Sequence, residues 1–347
     1  MLKQKFLFTQ RLKTAYYHGG TPGRPKLLLV HGNVSSSKFY LSLMERLAAD
    51  FELVAPDLRC FGDTEALPVD ARRGLRDWSD DLHALTRALG WNKFFLLGWS
   101  MGGGVAMQYA IDHSEQLLGL ILEAPLSPFG FGGTCTPDGK PLTPAGLASG
   151  GGCANPKLVQ ALLSGDREFF RATLNGVYFK PPFRAEPAWE EIFLDAIAST
   201  QVGDGMYPGD SVSVPQWPGV ASGSSGVCNT MSPVYCDLSS LANLPHRCPI
   251  LWLRGDGDIM VSDQSLADFG ALGAMGAVPG WPGADLFPSQ PMLAQTRLVL
   301  ERYAANGGSY REVVLKDSGH APHVDQESTF AQALVDFISQ ASESYFL

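Results

Sequence analysis

The chain has 347 residues, of which 45% are hydrophobic and 18% charged, so it carries the material for a large core and lacks a disordered composition. Its formal net charge of -9 repels phosphate backbones and anionic lipid. Nucleic-acid and membrane-surface partners are therefore disfavoured, and a neutral small-molecule ligand is weakly favoured.

The first segment, MLKQKFLFTQRLKTAYYHGG, is basic, with three successive apolar residues at Phe6 to Phe8. A secretory leader needs an apolar stretch of roughly 7–15 residues, and a membrane helix needs about 18. Neither is present, so a soluble cytoplasmic protein is expected. Residues 26–30 (KLLLV) read as a buried strand that runs into His31-Gly32. Helix periodicity follows over 38–49, a strand over 51–55, a helix over 78–89 and a strand over 94–97. A helix over 101–113 and a strand over 117–122 complete this half. Strand and helix alternating in this way predict an α/β fold, a mostly parallel doubly wound sheet covered on both faces.

The alternation breaks at Pro125. From 126 to 245 the sequence predicts helices at 156–163 and 189–198, separated by long Gly-, Pro- and Ser-rich stretches at 129–152 and 203–233. Such lengths point to packed functional loops. Alternation resumes with a strand at 249–253, a helix at 293–305, a strand at 310–315 and a helix at 328–339. The expected organisation is a sheet domain in two parts, 1–125 and 246–347, interrupted by a cap or lid at 126–245.

Six cysteines form no Cys-x-x-Cys pair, so a zinc site is not expected. Buried free thiols are the expectation, with Cys135–Cys153 or Cys228–Cys236 as the pairs an oxidising compartment would allow. No phosphate loop, His-Glu-x-x-His helix or calcium loop occurs. The expected chemistry needs no metal and no cofactor.

The strand at 94–97 ends in Gly98-Trp99-Ser100-Met101-Gly102 and leads into a helix. This is the context of a nucleophile elbow, in which small flanking residues let a serine stand out over the sheet edge. A serine needs a base, and His320 follows the last strand in VVLKDSGHAPH. His323 lies three residues beyond, in the turn. Asp258 follows the strand at 249–253. Ser, Asp and His in this order fit acyl-transfer chemistry. Glu123, which ends the strand at 117–122, is the alternative acid.

With these residues the chain resembles the α/β-hydrolase family at several separated points. His31-Gly32-Asn33 is similar to the family's oxyanion loop. PDLRCFG at 56–62 resembles its Pro-Asp-x-Arg-Gly-x-Gly segment, with Cys60 in place of the usual glycine. GDGDIMV matches its acid turn and selects Asp258 over Asp256, and GHAPHVDQ resembles its histidine loop and selects His320. The resemblance implies a catalytic serine at 100, a base at 320 and an orienting acid at 258. It also implies an oxyanion hole formed by the backbone N–H groups of Asn33 and Met101. Some relatives place the acid after the strand that here ends in Glu123. Asp57 and Arg59 are expected to form a structural ion pair behind the oxyanion loop.

The resemblance implies a serine hydrolase acting on a carboxylic ester or lactone of a largely apolar small molecule. Serine at the elbow argues against dehalogenases and epoxide hydrolases, which use aspartate there. Other uses of the fold are an acyltransferase, a carbon–carbon bond hydrolase, an aminopeptidase or a ligand receptor with vestigial turnover. An aminopeptidase would anchor an amine on acidic cap residues, for which Glu186, Glu190 and Glu191 are the candidates.

Overall fold

A computed structural model describes residues 2–345. Apolar runs become strands where the sequence places them: β3 (Lys26–Val30), β4 (Glu52–Pro56), β5 (Phe94–Trp99) and β6 (Leu117–Glu123). Two strands that the sequence does not announce precede them, β1 (Lys3–Phe8) and β2 (Lys13–Gly20). β1 pairs antiparallel with β2, and β2 pairs antiparallel with β4. β1 lies at the sheet edge and leaves Phe6 and Phe8 exposed, so no buried face imposes the period-2 alternation that would have marked it.

After β6 the chain leaves the sheet. It forms a short hairpin of β7 (Ser211–Ser213) with β8 (Val220–Ser222), then returns as β9 (Ile250–Gly255) and β10 (Tyr310–Leu315). The described residues build an eight-stranded sheet in the order β1-β2-β4-β3-β5-β6-β9-β10, parallel from β4 to β10. This is the mostly parallel, doubly wound α/β sheet that the alternation predicts. All six residues of β5 are buried, because parallel strands are covered on both faces.

The covering helices are α1 (Leu41–Leu47), α2 (Arg76–Ala88) and α3 (Met101–His113). α1 is shorter than the 38–49 periodicity suggests, because a 3-10 turn at Ser37–Tyr40 precedes it, capped by the Ser36 side chain. The insertion contributes α4 (Pro156–Ser164), α5 (Arg167–Thr173), α6 (Pro187–Ala198) and α7 (Val227–Thr230). Next come α8 (Phe269–Ala274), α9 (Met292–Ala305), α10 (Pro322–Asp325) and α11 (Glu327–Tyr345).

One row of register aligns the strand ends. Val30 pairs with Gly98, Gly98 with Leu122, and Leu122 with Trp252. The loops that follow these strands therefore emerge side by side along one edge, where open α/β sheets place their ligand sites.

The sequence assigns 246–347 wholly to the sheet domain. The stretch 256–291 instead leaves the sheet and packs on the insertion. Trp217 meets Phe287 edge-on with ring centres 4.6 Å apart, and its indole N–H donates to the Pro279 carbonyl at 2.9 Å. Gln290, fully buried, donates to the Gly130 carbonyl at 3.0 Å. Two excursions, far apart in sequence, thus pack against each other.

Candidate active site

Ser100 sits between β5 and α3 with φ 57° and ψ -122°, a conformation that L residues rarely adopt and that surrounding structure must hold. Its N–H donates to the Glu123 carbonyl at 2.9 Å, and its carbonyl accepts from Leu126 N–H at 2.8 Å. The glycines around it are demanded by close approach. A Cβ on Gly98 would lie 2.2 Å from the Gly102 carbonyl oxygen, and one on Gly102 would lie 2.3 Å from the carbonyl oxygens of Val30 and His31. Strand, turn and helix can pack this tightly only without side chains at these two positions.

His320 Nε2 stands 2.8 Å from Ser100 Oγ, and its Nδ1 stands 2.9 Å from Asp258 Oδ2. A carboxylate accepts, so Nδ1 carries the proton and Nε2 is left to accept from the serine hydroxyl. Asp258 Oδ1 accepts from the N–H groups of Met260 (2.7 Å) and Val261 (3.0 Å), which fixes the carboxylate in its turn. The histidine loop is held in the same way. Asp325 accepts from Ser318 Oγ and Gly319 N–H, both at 2.6 Å, and the Trp99 indole donates to the His320 carbonyl at 2.6 Å.

Asn33 and Met101 flank this serine. A Cβ on Gly32 would come within 2.9 Å of Ser100 Cβ, so the 31–33 loop lies directly against the nucleophile turn. Met101 opens α3, where the first N–H groups have no partner within the helix. The Asn33 side chain has other work. Its Oδ1 accepts from Val34 N–H at 3.0 Å, and it is also hydrogen-bonded to the Cys228 thiol. His31 braces the loop from behind. Leu58 N–H donates to its Nε2 at 2.9 Å, while Nδ1 faces the Gly32 carbonyl at 2.8 Å. Burial lowers the His31 pKa to about 4.

Glu123 does not act on His320. Its Oε1 lies 2.6 Å from His323 Nδ1 and accepts from His323 N–H at 2.9 Å, with both side chains fully buried. The alternative acid is thus corrected: the register that sets β6 beside β9 aims Glu123 under the elbow at His323. Sequence reasoning passed over His323, and its partner lies 200 residues away, where no local spacing points to it.

The expected Asp57–Arg59 pair is also corrected. Asp57 turns inward to accept from Ser37 N–H (2.9 Å), Ser37 Oγ (2.5 Å) and Asp63 N–H (2.9 Å). Arg59 reaches α2, where it binds Asp81 through Nε and Nη2 at 2.8 and 2.9 Å. Asp256, the rejected acid, pairs with Lys180 at 2.9 Å. Cys60 has φ 72°, so the position usually held by glycine keeps the left-handed backbone with a buried thiol in place.

All six cysteines are free. Burial pushes the thiols of Cys60, Cys228, Cys236 and Cys248 up to about 12, which leaves them inert at neutral pH. Glu190 and Glu191 are taken up by Arg171, at 2.6 and 2.8 Å, and Glu191 also by Arg167. They are therefore poor anchors for a substrate amine. Among the described residues, no cluster of three His, Cys, Asp or Glu side chains is placed to hold a metal.

The sheet order and the strand-edge loops define the α/β-hydrolase class. A family model for the alpha/beta hydrolase fold matches residues 25–148, and the sheet order is that of the α/β-hydrolase fold. It is 33% identical over 108 residues to 2-hydroxymuconate semialdehyde hydrolase of Pseudomonas sp. (strain CF600), covering 30% of this chain and 38% of that protein. It is 31% identical over 99 residues to fluoroacetate dehalogenase of Burkholderia sp., covering 28% and 33%. The chain thus spans little more than a third of the length of these relatives. A solved esterase from Rhodococcus sp. ECU1013 superposes with TM-score 0.61 at 18% identity, covering 97% of this chain and 98% of that one. That likeness is one of fold.

Proposed function

We propose that the protein is a serine hydrolase that cleaves a carboxylic ester or lactone of a neutral, largely apolar small molecule through an acyl-enzyme. The observation that carries this reading is the unbroken chain Ser100 Oγ, His320, Asp258, with contacts of 2.8 and 2.9 Å. Ser100 attacks the acyl carbon while His320 Nε2 takes its proton. His320 then returns that proton to the leaving alkoxide as the carbon–oxygen bond breaks. Water, deprotonated by the same nitrogen, releases the acid and restores Ser100. Asp258 holds the imidazole tautomer and stabilises its cation. The N–H groups of Asn33 and Met101 receive the oxyanion, at about 3–4 kcal/mol per donor.

The residues that gather around Asn33 support an uncharged acyl group: Tyr178, Cys228 and Val34 carry no formal charge at neutral pH, and Tyr207 interacts with Cys228 in turn. Residues 126–245 act in this reading as the cap over the serine. Among the described residues no helix is long and apolar enough to cross a membrane.

The test is turnover of p-nitrophenyl esters of rising chain length by the wild type and by S100A. Steady turnover that S100A lacks is expected, and turnover that survives in S100A contradicts the mechanism. Carbon–carbon bond hydrolysis is the second reading, supported by the match to 2-hydroxymuconate semialdehyde hydrolase. It predicts that 2-hydroxymuconate semialdehyde is turned over faster than any simple ester in the same assay.

A further inference from the structure

Tyr178 closes a π-helical turn, Leu174–Tyr178, within the insertion, yet its contacts lie on the loops around Ser100. Its hydroxyl donates to the Val34 carbonyl at 2.9 Å, with the Asn33 carbonyl further off at 3.4 Å. Its own carbonyl accepts from Ala321 N–H, next to His320, at 3.0 Å. The ring is buried, lies nearly parallel to the His320 imidazole with centres 6.4 Å apart, and meets Trp99 edge-on at 5.8 Å. Two residues on, Lys180 Nζ bridges Asp256 on the acid turn (2.9 Å) and Asp317 on the histidine loop (3.1 Å).

Val34 gives these contacts a purpose. It is β-branched and stands at φ 49°, a region such residues avoid unless the surroundings impose it. Two bonds impose it here: the Asn33 side chain holds its N–H, and Tyr178 holds its carbonyl. Val34 directly follows Asn33, whose N–H is the oxyanion donor of the proposed mechanism. Relaxation of the Val34 backbone would swing that donor away from the Ser100 acyl carbon. Burial raises the Tyr178 phenol above its ordinary value, so it stays a hydrogen-bond donor at working pH.

We propose that Tyr178 is a positioning residue, through which the insertion holds the strained oxyanion loop and the histidine loop in register with Ser100. This rests on the serine-hydrolase reading above. A Tyr that only fills space would be replaced by Phe without effect, because the ring contacts survive.

The experiment is a double-mutant cycle of Y178F and V34G on the best p-nitrophenyl ester, with S100A alongside and thermal unfolding of each variant. Y178F is expected to lose roughly tenfold or more in kcat, with KM within about twofold of wild type, since misplaced catalytic groups cost rate at small displacements. In the V34G background the same change is expected to cost less than about threefold, because glycine takes the turn without restraint. A wild-type kcat in Y178F, a loss confined to KM, or an equal loss in both backgrounds overturns the proposal. Activity in S100A overturns the serine reading itself, which separates the two failures. If Y178F unfolds, the Y178F/V34G double variant decides: a kcat within about threefold of V34G supports a bond needed to hold the strained Val34, and a loss of tenfold or more overturns it.

Discussion

Two carboxylates stand where neighbouring strands leave the sheet, Glu123 as the last residue of β6 and Asp258 in the turn after β9, and each has its own histidine. Asp258 serves His320 and Glu123 serves His323, both at hydrogen-bond distance, although the histidines are three residues apart. The two pairs differ in their link to the serine: His320 touches Ser100 Oγ, whereas Glu123 reaches Ser100 through its backbone carbonyl. D258N should therefore lower kcat by about 10⁴-fold, the scale set by losing the correct tautomer in a serine triad. E123Q keeps an acceptor for His323 and should lower kcat by less than about tenfold, with a stability loss of about 1–3 kcal/mol from the altered buried pair. Steady-state kinetics and urea unfolding of both variants check this, and a larger kcat loss in E123Q would reassign the acid. The motif turns pointed in the sequence to Ser100, Asp258 and His320, and the fold brings His320 within hydrogen-bond distance of both others. His323 and Tyr178 were not readable there, because each finds its partner through tertiary contact with no spacing to announce it.

At the scale of elements, the site depends on how β3 and β4 are tied where they leave the sheet. His31 follows β3 and accepts from Leu58 N–H beyond β4, so one buried ring joins the two exits. Its pKa falls from 6.5 to about 4 on folding, because burial disfavours the cation. Above pH 6.5 the ring is neutral in both states, and its contribution to stability is complete. As the pH drops from 6.5 towards 4 the unfolded chain binds the proton first, so stability is lost across that window, and below it the slope ends. At about 1.4 kcal/mol per pH unit the loss comes to roughly 3 kcal/mol. Urea unfolding over this range should show the slope in wild type and a shallower one in H31Q. Equal slopes would remove His31 as its source. The central strands were legible because double burial makes them unbroken apolar runs, as in Phe94–Leu97. β1 was not, because an edge strand with exposed Phe6 and Phe8 carries no such run.

For the molecule as a whole, the sheet positions the candidate groups and the excursions pack on the loops that bear them. Strand ends in register set Ser100, Asp258 and His320 along one edge, while Tyr178 and Lys180 of the insertion fasten the loops between them. Alternation of strand and helix made the sheet itself legible in the sequence, and that alternation stops at Pro125, just after β6 ends at Glu123. It did not reveal that 256–291 joins the insertion, because Trp217, Phe269 and Phe287 form their cluster only after the chain has folded. The central claim is that Ser100 is an activated nucleophile in the folded protein. Covalent labelling with a fluorophosphonate, read by intact mass and peptide mapping, tests it most directly. The account predicts a single adduct on the peptide containing Ser100, absent from S100A and strongly slowed in H320A; an unlabelled Ser100 in a protein that turns over esters would contradict it.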